Sequence, residues 1–361
     1  MLKHKLAELI NKQISDKCQI GVQVSIYQDD NEILSESYGT SDNTNKLSND
    51  NLFLSFSVTK GIFALLIHIL VDKNYLNYDD YICKFWPQFA KNGKDKITLR
   101  QILSHQAGLH RMPFPFEEKH LLDEMFMLNY IENMIPANTN TAYCSITFSW
   151  IIIGLLKGIF NDITPKQLFQ KFIIDEFEIH NDVFIGLPDD QSIISRAVEI
   201  NINIPKSNES SETYKAAPWE LWQFYNDPRV KHLFLPACNG YFTAKALAKI
   251  YGALANNGIY HYKQLISPNC INEMKKCQTN AFDDVIGIPI RKSMGFFLDL
   301  GYINNSFGHA GIGGSIAFAD PSRGLGIAIL INKMNFDYNN DPIKDICNLI
   351  TNHIDKLGNI P

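Results

Sequence analysis

Little in this chain points to a metal, a disulfide framework or a polyanionic partner. Its seven cysteines are scattered and no two are spaced as Cys-x-x-Cys, which removes the usual zinc and redox patterns. An odd, dispersed set of thiols suits a reducing compartment. No Lys/Arg cluster stands out, and a net charge of -5 offers no broad attraction to phosphate, so nucleic acid is a poor partner. Long hydrophobic runs are also missing. The longest strongly apolar stretch, 151–156, is far too short to span a bilayer. The opening residues place Leu2, Leu6, Leu9 and Ile10 on one helical face but interrupt them with charges. They predict an amphipathic surface helix rather than an export signal, and hence a cytoplasmic protein.

What is present is an ordinary globular composition. With 361 residues, 45% hydrophobic and 20% charged, the chain has ample sequence for one large domain or two intimately packed ones. Residues 21–27 alternate like a strand, Asp29 to Asn31 turn, and Ile33 to Tyr38 return as a second strand. The middle, about 60–265, reads as mostly helical, with breaks at Pro113–Phe116 and at the polar segment beginning Ile204-Pro205, expected to be an exposed, mobile loop. Strand-like segments resume at 294–300, 314–319 and 326–331, the last two joined by a hairpin at Asp320-Pro321. An amphipathic helix over 341–356 closes the chain. The Asn-rich patches 43–51 and 335–340 read as loops. The expected fold is α+β: an antiparallel sheet built from both termini and flanked by helices, plus a mostly helical lobe from the middle. The corresponding division is 1–75 with 265–361 against 76–264, with the active site in the cleft between them.

The chemistry starts at Ser57-Val58-Thr59-Lys60, the only Ser-x-x-Lys in the chain. Residues three apart share a helical face, so the Lys60 amine approaches the Ser57 hydroxyl, which needs a base to become nucleophilic. A chain of this length supplies roughly one such match by chance. The context strengthens it: a polar stretch runs into Leu52–Leu54, and apolar residues from Ile62 to Leu70 then recur at helical spacing. Ser57 would open a buried helix, where free backbone N–H groups favour a developing oxyanion.

Three further segments extend the pattern. Residues 97–109 (Ile-Thr-Leu-Arg-Gln-Ile-Leu-Ser-His-Gln-Ala-Gly-Leu) resemble a stretch of serine β-lactamase-like proteins. Tyr143-Cys144-Ser145, ahead of a helix-like run from Ile146, resembles the Tyr-x-Asn motif of that family. Gly308-His309-Ala310-Gly311 resembles its third motif, with His-x-Gly where β-lactamases have Lys-Thr-Gly. All lie in the family's order over about residues 20–333. The chain is therefore identified as resembling the class C β-lactamase-like superfamily, which includes D-aminopeptidases, carboxypeptidases, family VIII carboxylesterases and acyl transesterases.

The resemblance implies a cofactor-free and metal-free serine hydrolase acting on a small-molecule acyl ester or amide. Ser57 would be the nucleophile, Lys60 its base or proton shuttle, and Tyr143 a partner in deprotonation that also protonates the leaving group. Nearby cations are expected to favour the Tyr143 phenolate. His309, Ala310 and Gly311 would form the far wall, and the amides of Ser57 and Ile312 the oxyanion hole. Two departures matter. Ser145 replaces the family's asparagine and loses the amide that contacts Lys60; it reads equally as a helix cap. His309 replaces a permanent cation with a group expected to titrate near neutrality. Both favour an esterase, transesterase or aminopeptidase-like activity over a tuned β-lactamase. The alternatives are a D-amino-acid peptidase, a weak β-lactamase, or a catalytically weakened binding or assembly protein.

Other residues invite weaker readings. Tyr75, Tyr302 and Tyr338 also begin Tyr-x-Asn, but only Tyr143 has the right order and a following helix. Ser104 and His105 read as part of a structural loop near the cleft. Glycines 308, 311, 313 and 314 suit a close ligand approach rather than a phosphate loop. Trp219 and Trp222 read as core or cleft wall.

Overall fold

Alternation of Val22, Val24 and Ile26 with Gln23, Ser25 and Tyr27 builds the first strand, β1 (Gly21–Gln28), which pairs antiparallel with β2 (Asn31–Gly39). The computed structural model describes all residues except Asn43, Asn203, Asn226, 338–340 and 359–361, so Tyr338 and the end of the 335–340 patch lie outside the described residues. Two short strands, β3 (Phe53–Leu54) and β4 (Val183–Ile185), join β5 (Gly240–Phe242) in a three-stranded sheet ordered β3-β5-β4. The C-terminal part contributes β6 (Phe297–Leu298), β7 (Phe307–Ala310), β8 (Ile316–Asp320) and β9 (Leu325–Ile331). These complete a six-stranded sheet in the order β2-β1-β9-β8-β7-β6, antiparallel throughout. The two chain ends therefore meet in one sheet, where Val24 faces Ile329.

Both faces of this sheet are covered, which explains why β9 is apolar at nearly every position. One face takes α1 (Leu2–Ser15) and the closing helix α5 (Pro342–Gly358), with Leu6, Ile10, Ile346 and Ile350 against Val24, Phe318 and Ile329. The other face takes α2 (Val58–Asp72) and α4 (Ala244–Ala255). A further helix, α3 (Phe148–Ile159), comes from the middle region and contributes to the same large core as α2. Helix α2 is buried from Val58 to Leu70.

The architecture is thus α+β, with an antiparallel sheet, flanking helices and a mostly helical middle. Several details differ from the sequence reading. Helix α4, within the stretch assigned to the helical lobe, packs on β1 and β9 of the main sheet. Gln23 helps hold it there, accepting the Ala244 amide at 2.9 Å while donating to the carbonyls of Ser48 and Asn51. The strand expected over 294–300 shrinks to Phe297–Leu298, because Gly295 adopts a φ of +84° against Ala64 and Leu300–Tyr302 form a short 3-10 turn. The strand expected from Gly314 begins at Ile316, since Gly313 and Gly314 take φ values of +89° and +125° in a turn. Among the described residues no helix is long and apolar enough to cross a membrane.

Candidate active site

The turn before α2 aims Ser57. Strand β3 pairs with β5, and the Ser55 amide donates to the Gly240 carbonyl at 2.9 Å. Phe56 then adopts a φ of +45°, an unfavourable left-handed conformation for a bulky residue. Its surroundings hold it there. The Phe56 carbonyl accepts both the amide and the hydroxyl of Thr59, at 3.0 and 2.5 Å. Its ring meets Trp222 and Tyr225 edge-on, with centroids 5.7 and 5.2 Å apart. Phe56 escaped the sequence reading, because nothing in a Phe codes for a positive φ. Ser57 follows as the residue capping α2, as expected from its position.

Lys60 lies one turn on and is fully buried. Its Nζ is 3.0 Å from Ser57 Oγ and donates to the carbonyls of Ser145 and Ala237 at 2.7 and 2.8 Å. Desolvation pulls this ammonium down to about 7, against weaker opposition from the neighbouring Cys238 and Cys144 thiols. The neutral amine has two N–H donors and one lone pair. Two carbonyls take the donors, which leaves the lone pair directed at the Ser57 hydroxyl.

Tyr143 stands over this pair, with Lys60 Nζ 4.8 Å from its ring centroid. Its ring is flanked by His105 at 4.6 Å, Phe297 at 5.7 Å and His309 at 6.0 Å. Burial pushes the phenol well above its ordinary value, although the adjacent Ser57 works in the opposite direction. The expected phenolate is therefore corrected: desolvation outweighs the opposing effect of Ser57, and Tyr143 rests protonated. Among the described residues no hydrogen bond of good geometry reaches its hydroxyl.

Ser145 contacts Lys60 after all, but through its carbonyl, and the residue also lines the cavity. The loss expected from replacing asparagine is thus partly met by the main chain. His309 is buried on β7, and its Nδ1–H donates to the Ala310 carbonyl at 2.8 Å, leaving Nε2 as an acceptor. Desolvation and the Lys60 charge push its imidazole down to about 3, so it does not titrate near neutrality as the sequence suggested. Gly61 lets α2 approach β7: a Cβ there would lie 2.3 Å from Tyr251 Oη and 3.2 Å from His309 Cβ. Gly311 follows Ala310 along the cavity wall, its amide bonded to the Ser315 carbonyl at 2.7 Å. Ser57 and Ile312 both line the cavity, and among the described residues no acceptor is found for either amide.

The cavity has a volume of about 520 Å³. Trp219, Trp222, Ile286, Ile290 and Phe336 give it largely apolar walls, and no Lys, Arg or His is among its lining residues. Ile204, Pro205 and Ser207 also border it, which makes the segment read as a loose loop part of the cavity rim. The Lys206 ammonium lies 4.3 Å from the Trp219 ring centroid, a cation–π contact. Among the described residues no group of three or more His, Cys, Asp or Glu side chains is placed to hold a metal ion.

Comparison with known proteins gives the family of the chain. The beta-lactamase family model matches residues 6–346. The chain is 27% identical over 305 residues to the esterase/beta-lactamase LipL of Mycobacterium tuberculosis, covering 80% of this chain and 70% of that protein. A family VIII carboxylesterase superposes with a TM-score of 0.85 at 27% identity, over 95% of this chain and 96% of that one. A penicillin-binding protein homologue from Caulobacter crescentus gives a TM-score of 0.84 at 27% identity, over 96% of each chain.

Proposed function

Since the chain belongs to the beta-lactamase family, a family of serine hydrolases, we propose that it cleaves uncharged esters through an acyl-enzyme on Ser57. The observation that carries this reading is the contact between Lys60 and Ser57, with the other Lys60 donors already occupied. Neutral Lys60 takes the Ser57 proton as Oγ attacks the substrate carbonyl. The resulting oxyanion receives hydrogen bonds from the amides of Ser57 and Ile312. The proton then passes from Lys60, with the Tyr143 hydroxyl as relay, to the departing alkoxide. Water, deprotonated by the same amine, releases the acyl group; an alcohol in its place gives acyl transfer.

Esters rather than β-lactams or D-amino-acid peptides follow from the cavity wall. Among the described residues no Lys or Arg lines the wall to pair with a substrate carboxylate, Lys206 at the rim lies against Trp219, and His309 is neutral. Ala310 and Gly311, with His309 buried behind them, serve as the edge along which the acyl group lies, and Ser145 borders the leaving group. The name of the Mycobacterium relative, which joins esterase and beta-lactamase, supports keeping a weak β-lactamase activity as the second reading.

In this reading the cavity is the cleft between a sheet lobe and the helical lobe; the packing of α4 on β1 and β9 supports counting α4 with the sheet. A cytoplasmic setting suits seven cysteines among which no disulfide forms. The test compares wild type with Ser57→Ala on p-nitrophenyl acetate and butyrate, a chromogenic cephalosporin and a D-alanyl p-nitroanilide. Ester turnover should dominate and vanish in the variant. Equal turnover by both proteins refutes the assignment, and preference for the cephalosporin or anilide moves it to the alternatives.

A further inference from the structure

We propose that the buried Asp283–Lys292 pair, together with His105, is a positioning device for Tyr143 that acts through the main chain of residues 142–144. The proposal rests on the role given to Tyr143 above. The segment carrying Tyr143 belongs to neither helix nor strand, so no ladder of its own holds it. Three successive amides are instead taken by distant groups. Ala142 N–H donates to the His105 carbonyl at 3.0 Å, Tyr143 N–H to Asp283 Oδ1 at 3.1 Å, and Cys144 N–H to His105 Nδ1 at 3.1 Å. His105 adopts a φ of +59°, and in this conformation both its carbonyl and its ring nitrogen serve the same segment.

Asp283 joins this segment to the cavity wall. Its Oδ1 also accepts the amides of Val285 and Ile286, each at 3.0 Å, and both residues line the cavity. Its Oδ2 accepts the Thr141 hydroxyl at 3.2 Å and the Lys292 ammonium, which contacts Thr141 as well. The Asp283 and Lys292 side chains are 0% and 1% exposed. A buried ion pair is a weak device for stability, since well-packed apolar residues often do as well. An apolar residue, however, has no oxygen for the Tyr143 amide. The pair therefore sets the position of the phenol relative to Ser57, and sets the adjacent wall with it.

A double-mutant cycle on the full chain tests this. Asp283→Ala should lower kcat about 10- to 100-fold, as a small misplacement of a reacting group does, with KM changed less than about three-fold. In a Tyr143→Phe background the same substitution should lower kcat by no more than about three-fold, because its effect runs through the phenol. Equal losses in the two backgrounds overturn the inference alone. Undiminished kcat in Tyr143→Phe overturns the reading of Tyr143, and this inference with it. Thermal melting identifies a variant that fails to fold. In that event Lys292→Gln, which offers Asp283 a neutral donor, goes through the cycle under the same criterion. Asp283→Asn keeps an oxygen for the Tyr143 amide and should retain more kcat than Asp283→Ala; an equal loss also counts against the proposal.

Discussion

Lys60 Nζ lies 3.0 Å from Ser57 Oγ, inside a shell where two main-chain carbonyls hold the rest of the amine. Burial lowers the ammonium to about 7, which makes it a base at physiological pH. In the proposed mechanism the neutral form is the active one, and it exists above that value. With a neutral ester, kcat/KM should rise about tenfold per pH unit below the midpoint and level off above it. A profile flat from pH 5 to 9, or falling with pH, would remove Lys60 as the base.

His309 stays uncharged until about pH 3. It exerts no charge on Lys60 near neutrality, so His309→Gln should leave the midpoint of the pH–rate profile where it is, even if the rate falls. An upward shift of more than about half a unit would mean that a charged imidazole had been lowering the lysine.

Gly61 lies where α2 meets β7, and a methyl group there collides with the Tyr251 hydroxyl. Gly61→Ala should destabilise the fold by about 1–3 kcal/mol, read from denaturant titration. That hydroxyl is buried without a hydrogen-bond partner among the described residues. Tyr251→Phe should therefore be tolerated alone and relieve part of the Gly61→Ala loss. No relief would mean that the obstacle is the His309 side of the contact.

The apolar cavity predicts a preference for longer acyl chains. A buried methylene contributes about 0.8 kcal/mol, so kcat/KM should rise about tenfold from p-nitrophenyl acetate to butyrate. Trp219→Ala should flatten that series, since it opens one wall to water. An unchanged slope would place the acyl chain elsewhere.

Much of this site could be read from the chain itself. Ser57, Lys60 and Tyr143 announce themselves through residue type, order and a following helix, and the terminal strands through alternation. What escaped depends on distance in sequence or on environment. Asp283 and Lys292 lie about 140 and 150 residues beyond Tyr143, and no local pattern marks them as its anchor. The ionisation states of Tyr143 and His309 are set by desolvation, which follows from packing and which composition does not express. Sequence proximity places helix α4 with the helical middle, whereas its packing on β9 depends on which sheet face lacks cover.

The central claim, that Ser57 is acylated, is tested most directly by peptide-mapped mass spectrometry after treatment with a fluorophosphonate. The account predicts one adduct, on the peptide carrying Ser57, that disappears in Ser57→Ala and forms much more slowly in Lys60→Ala. An adduct that persists in Ser57→Ala, or that maps to another serine such as Ser104 or Ser145, would contradict it.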